Sequence, residues 1–138
     1  MSSFDVLDLF SGTGSISYEF ASRGCHELHA VEIEPRHVAF IRATASQLGF
    51  RQMRVIRDDV FHFLSICKAQ YDIVFADPPY EMPDIGKIPD TVMNRNILKP
   101  DGILILEHSQ RSDFARHEHL ADHRNYGNVH FSFFRRQP

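Results

Sequence analysis

A strand that runs straight into a glycine turn and then a helix limits this chain to few folds. Val6-Leu7-Asp8-Leu9-Phe10 is apolar enough for a buried strand, Ser11-Gly12-Thr13-Gly14 turns the backbone, and a helical pattern begins at Ser15. Glycines at i and i+2 allow a tight turn and a close backbone approach to a ligand that a Cβ would block. The free N–H groups and dipole of the following helix favour electron-rich groups. Ser17 stands where a dinucleotide-binding turn carries its third glycine, so Gly12-x-Gly14 alone also fits an ordinary strand-to-helix connection.

The alternation continues along the chain. Phe4–Leu9 is the first strand and Ser15–Arg23 the first helix, stopped by Gly24. Leu28–Ile33 follows as a strand. Pro35–Leu48 is a helix with Pro35 in its first turn, Val38, Ile41, Ala45 and Leu48 on one face, and Gly49 as the stop. Met53–Arg57 is a strand, Val60–Cys67 a short helix, Tyr71–Ala76 a strand and Asp90–Leu98 a helix. Lys99-Pro100-Asp101-Gly102 reads as a turn before a strand at Ile103–Glu107. Near the end Val129, Phe131 and Phe133 alternate with His130 and Ser132, as in an antiparallel strand with one face more buried. Strands and helices in this order predict an α/β fold: a doubly wound, Rossmann-like sheet, mostly parallel, with an antiparallel C-terminal hairpin. At 138 residues the chain is expected to form one domain, residues 1–138, and twelve phenylalanines predict a tightly packed interior. Ligands should gather at the carboxyl ends of the parallel strands.

Asp77-Pro78-Pro79-Tyr80 lies at such an end, directly after the apolar run Ile73-Val74-Phe75-Ala76. Each proline fixes φ and lacks an N–H, so this loop presents a carboxylate, a ring and unpaired carbonyl acceptors. An amino group needs such a site if two acceptors are to hold it while its lone pair attacks an electrophile. Glu32 ends the second strand about 20 residues after Gly12, the spacing of an acid that accepts from ribose hydroxyls. Glu34, beside Pro35, fits better as a charge at a helix N-terminus. Asp58 and Asp59 end the third strand.

Composition narrows the field. A net charge of −3 argues against a strongly basic nucleic-acid surface, although arginine is used far more than lysine. Cys25 and Cys67 lie far apart with no zinc spacing, which predicts reduced thiols in a cytoplasmic protein. No apolar run is long enough for a membrane span and no signal peptide is evident. His117, His119 and His123 do not make a metal site if the first two diverge on a helix, and Cys25, His26 and His29 fall in a loop-to-strand transition, so no metal is expected. Arg111, Arg116, Arg135 and Arg136 read as ordinary surface arginines. Glu107 and His108 end the fifth strand, facing either a substrate mouth or solvent.

Asp8-Leu9-Phe10-Ser11-Gly12-Thr13-Gly14, Val31-Glu32, Asp58-Asp59-Val60 and Asp77-Pro78-Pro79-Tyr80, in this order, resemble the motifs of S-adenosylmethionine-dependent amino-methyltransferases. With the tail Arg124-Asn125-Tyr126-Gly127-Asn128-Val129, the resemblance is to the bacterial RsmD family, which methylates N2 of a guanine in small-subunit (16S) ribosomal RNA. It implies S-adenosylmethionine as cofactor, with Asp8 and the Gly12–Gly14 turn facing its methionine end and Phe10 also in the cofactor site. Glu32 would hold the ribose, Ile33 would pack on the adenine, and Asp59 with the backbone of Val60 would read it. Asp77, Pro78, Pro79 and Tyr80 would be catalytic. The implied partner is ribosomal RNA, free or in an assembly particle. Family members usually carry a basic segment before the first strand, whereas here Met1-Ser2-Ser3 leads almost directly into it. The expectation is a chain that folds and binds cofactor but docks RNA poorly.

The chemistry fits a poor nucleophile. A guanine N2 or adenine N6 lone pair is delocalised into its ring. The Asp77 carboxylate and Pro78 carbonyl would hold its two N–H bonds, favour a pyramidal nitrogen and aim the lone pair at the methyl group. Tyr80 would stack on a base taken out of its helix or loop. Asp-Pro-Pro-Tyr also fits a DNA adenine-N6 methyltransferase, against which the lack of a target-recognition domain counts. A non-catalytic cofactor-binding module, or an NAD-binding domain, has no use for an amine-holding loop.

Overall fold

A computed structural model describes residues 3–80 and 82–136; Met1 and Ser2, part of the short lead-in, lie outside them. The elements run β1 (Asp5–Leu9), α1 (Ser15–Ser22), β2 (Glu27–Glu32), α2 (Pro35–Leu48), β3 (Met53–Arg57), α3 (Val60–Ile66), β4 (Tyr71–Ala76), α4 (Lys87–Asn94), β5 (Leu98–Ser109), β6 (Leu120–Tyr126) and β7 (Val129–Arg135). They build one seven-stranded sheet in the order β3-β2-β1-β4-β5-β7-β6. β1 to β5 are parallel, while β7 runs antiparallel to both β5 and β6. The strand order reverses between β1 and β4, which opens a crevice at their carboxyl ends.

β1 is buried on both faces, as a central parallel strand must be. Leu7 and Leu9 join Val74, Leu104, Leu106, Ile88, Val92 and Phe134 in the larger core, while Val6 packs with Cys25, Leu28 and Ala30 on the other side. At the amino ends of the strands, Lys99 donates to Asp5 at 2.7 Å and to Asp72 at 3.1 Å, tying β1, β4 and β5 together. Cys25 and Cys67 are both free. Among the described residues no helix is long and apolar enough to cross a membrane.

The alternating architecture and terminal hairpin follow the sequence reading, and several local expectations do not. The fourth helix is Lys87–Asn94 rather than Asp90–Leu98. Pro89 sits in its first turn, where its missing N–H costs nothing, and Leu98 pairs with Tyr71 instead. Lys99–Gly102 is an irregularity inside β5 rather than a turn before it. Asp101 adopts φ 68°, and the register slips between Tyr71 and Ile73. Gly102 is required there, since a Cβ would lie 2.8 Å from the Lys99 carbonyl. On β7 the buried residues are Ser132 and Phe134, not the apolar set Val129, Phe131 and Phe133. Phe114, from the segment after β5, packs edge-on against Phe134 and covers that face. Among the described residues the buried phenylalanines are Phe63, Phe75 and Phe134, and aliphatic side chains make up most of the core.

Candidate active site

The turn after β1 is built by strain and cross-bracing. Phe10, Gly12 and Gly14 all have positive φ, at 58°, 59° and 91°. A left-handed phenylalanine is sparsely populated and persists only where its surroundings over-determine it. Gly14 suits its place because φ of 91° strains any residue with a side chain; the tip of the Tyr18 ring lies close by, its hydroxyl donating to the Thr13 carbonyl at 2.7 Å. Beneath the turn, Ser17 donates to Asp8 Oδ2 at 2.6 Å, and both residues are buried. Ser17 therefore performs by a hydrogen bond the helix-to-strand packing that a third glycine would allow by absence. Burial pushes the Asp8 carboxyl up to about 7 despite the hydroxyl bonds from Ser17 and Ser11, and the nearby Asp77 and Glu32 charges add to the rise.

Glu32 clamps the turn from the next strand. Its Oε1 accepts from the Gly12 N–H at 2.7 Å and its Oε2 from the Glu34 N–H at 3.0 Å. Glu34 caps α2 through the Arg36 N–H at 3.2 Å, the role expected of it. Asp59 caps α3 by accepting from the His62 N–H at 3.0 Å, and Asp58 accepts from the Asp59 N–H at 2.8 Å and meets the His62 ring.

These groups open onto a cleft of 270 Å³ whose wall includes Phe10, Gly12, Glu32, Ile33, Asp59 and Val60. Ile33 is 60% exposed, an apolar side chain presented to the cleft rather than to the core. Asp8 and Gly14 stand behind the wall and shape it. His37, which the sequence reading did not single out, lines the cleft with a buried Nδ1 that has no hydrogen-bond partner, 3.5 Å from Glu32. Its position in the first turn of a helix that starts three residues after Glu32 is the sequence signal that would have found it.

A second cleft, of 190 Å³, adjoins the first. Asp77 and Pro79 line both, and the second adds Pro78, Tyr80, Glu107, His108 and Asn128. Burial raises the Asp77 carboxyl above the usual carboxylate range. Burial raises Glu107 as well, with the Asp77 charge contributing. Tyr80 is 72% exposed, and the Arg111 guanidinium carbon lies 6.0 Å from its ring centre, so one arginine read as ordinary surface stands at this mouth. Arg135 and Arg136 instead donate to the carbonyls of Asp101 and Leu98, both at 3.0 Å. His108 is buried. Its Nδ1 donates to the Ser109 carbonyl at 2.8 Å, which leaves Nε2 to accept from the Ser132 hydroxyl at 2.7 Å. Burial lowers its pKa, which favours this neutral tautomer.

His117 and His119 are not on a helix: they lie between β5 and β6, where His117 pairs with Asp90 at 2.8 Å. His123 pairs with His130 across the hairpin at 2.9 Å. Among the described residues no three His, Cys, Asp or Glu side chains are grouped to hold a metal ion.

A doubly wound sheet with a glycine turn, an acid at the end of β2 and an Asp-Pro-Pro-Tyr loop at the end of β4 has the architecture of a methyltransferase. Solved structures agree on the fold. Precorrin-6y C5,15-methyltransferase from Geobacter metallireducens superposes with a TM-score of 0.77 at 17% identity, over 99% of this chain and 82% of the other. A hypothetical protein of Thermus thermophilus gives 0.85 at 25% identity, over 96% and 75%. The chain belongs to the family described as conserved hypothetical protein 95, whose model matches residues 1–135. Its relatives include the ribosomal RNA small subunit methyltransferase D of Buchnera aphidicola, 28% identical over 73% of this chain and 52% of that protein, which bears out the RsmD resemblance. This chain thus spans about half the length of the curated relative it matches.

Proposed function

We propose that this chain transfers a methyl group from S-adenosylmethionine to the exocyclic N2 amine of a guanine in small-subunit ribosomal RNA. The observation that carries this reading is the wall shared by the two clefts, where Asp77 and Pro79 face both. A donor molecule in one cleft and an acceptor base in the other would meet at that carboxylate.

The residues of the larger cleft fit the cofactor. Gly12 leaves its approach open, Glu32 keeps lone pairs beyond the two N–H bonds it accepts, and Ile33 offers an exposed apolar surface to a flat ring. His37 Nδ1 is a buried polar atom awaiting a partner. Glu32 holds the ribose, Ile33, Asp59 and Val60 hold the adenine, and the turn at Phe10, Gly12 and Gly14 above Asp8 receives the methionine end. The cofactor supplies an electrophilic methyl group. Asp77 and the Pro78 carbonyl hold the amine by its N–H bonds, and proximity and orientation supply most of the acceleration. Asp77, its affinity for protons raised by burial, takes the proton the amine must lose once its nitrogen has gained the methyl group. Tyr80 stacks on the extruded base.

Calorimetry with S-adenosylmethionine, its demethylated product and NAD tests the first half of the reading; tighter binding of NAD overturns it. Mass spectrometry of ribosomal RNA nucleosides, from cells with and without the gene, tests the second. Loss of N2-methylguanosine is expected, whereas loss of N6-methyladenine from DNA would replace this reading with the adenine alternative.

A further inference from the structure

The smaller cleft contains a second carboxyl that amine chemistry does not require. Ala76 on β4 is registered against Leu106 on β5, and each strand then adds an acid, Asp77 and Glu107, at its carboxyl end. Both line the cleft beside Tyr80 and His108. Among the described residues neither carboxyl has a hydrogen-bond or ion-pair partner. The two carboxyls share one cleft wall, Glu107 partly buried and Asp77 more exposed, and desolvation raises each. The arrangement calls for a ligand with two adjacent N–H donors.

Resting on the guanine-N2 reading above, we propose that Glu107 is a specificity-determining residue that accepts the ring N1–H of guanine while Asp77 holds the neighbouring N2 amine. Guanine presents N1–H beside its amine, so two carboxylates in register meet two donors in register. Adenine presents a bare N1 lone pair beside its amine, and a carboxylate facing it is repelled. The discrimination is of the kind a buried polar group makes well, because the wrong base leaves Glu107 unpaired.

The test uses the full 138-residue chain and a short RNA carrying the target guanine, located first by mass spectrometry of ribonuclease fragments of the ribosomal RNA. In a second RNA that guanine is replaced by 2-aminopurine, which keeps the N2 amine but lacks the N1–H. The wild-type chain should prefer guanine by at least a hundredfold in kcat/KM; equal rates on the two RNAs overturn the proposal without any variant being made. Glu107→Gln, whose amide can donate as well as accept, should shrink the preference to tenfold or less, with S-adenosylmethionine affinity unchanged by calorimetry. A hundredfold preference retained in Glu107→Gln overturns the assignment to Glu107 while leaving the methyltransferase reading intact. No methylation of guanine by the wild-type chain even at saturating RNA and S-adenosylmethionine removes the reading itself and the inference with it.

Discussion

The two clefts that meet at Asp77 are built by opposite means. The larger one is backbone held by backbone: Glu32 accepts two main-chain N–H groups, Asp59 and Glu34 cap helices, and the turn is pinned in left-handed conformations at Phe10, Gly12 and Gly14. The smaller one is lined by side chains rather than braced backbone: Tyr80 exposed, His108 held by Ser109 and Ser132, and Asp77 and Glu107 unmatched among the described residues. The polar groups that line the first alone have a structural duty before any ligand arrives, His37 excepted. The second has carboxyls that no described side chain matches. On the proposed reading, preorganisation suits the site that would bind cofactor, and open acceptors suit the site that would hold an amine in the transition state.

That contrast can be broken most sharply at Asp77. Asp77→Ala should reduce kcat by roughly 10²- to 10⁴-fold, the usual range for a lost acid–base group, with cofactor affinity nearly intact. A matching loss of cofactor affinity would show that the shared wall serves the larger cleft instead.

Asp8 comes next, and its effect is on folding. Its carboxyl is raised from an ordinary 3.8 to about 7, so the folded chain holds that proton more tightly than the unfolded one. The protonated form contributes stability below about pH 4, and this is lost as pH rises towards 7. Asp8→Asn, which still accepts from Ser17, should abolish that loss, worth on the order of 4 kcal/mol over the whole range. Urea unfolding of the ligand-free chain at pH 5 and pH 8 measures it. An unchanged pH dependence would place the titration elsewhere.

Glu32→Ala should weaken S-adenosylmethionine binding by roughly 1.5–3 kcal/mol, the range for hydrogen bonds to charged groups. Because it also frees the Gly12 and Glu34 N–H groups, thermal stability should fall with it. Stability lost with affinity unchanged would make Glu32 a brace alone.

Tyr80 carries the smallest expected effect. Tyr80→Ala should cost about 1–3 kcal/mol in RNA engagement if it stacks on a base, and Tyr80→Phe should be mild. Equal damage from both would assign the role to the hydroxyl.

The legibility of the two clefts in the sequence follows their construction. Phe10, Gly12, Glu32, Ile33, Asp59 and Val60 were readable because each acts within a few residues of a strand end, where turn chemistry and helix capping are local. Asp77 to Tyr80 were readable for the same reason. Glu107 and His108 were visible only as the end of a strand, with nothing to say whether they faced a ligand or water. Their partner across the cleft, Asn128, comes from the turn of a hairpin, and no local pattern announces which loop will close a site.

The sequence by itself determined the alternation of strands and helices, the strand ends that carry acids, and the glycines that let a turn adopt positive φ. These are consequences of hydrophobic periodicity and steric freedom, which act between near neighbours along the chain. Only the tertiary structure decided that β5 begins at Leu98, that β7 buries Ser132 and Phe134 rather than its more apolar face, and that Asp77 and Glu107 share a cleft. Those outcomes depend on register between strands and on what covers each face, quantities set by packing between segments distant in the chain.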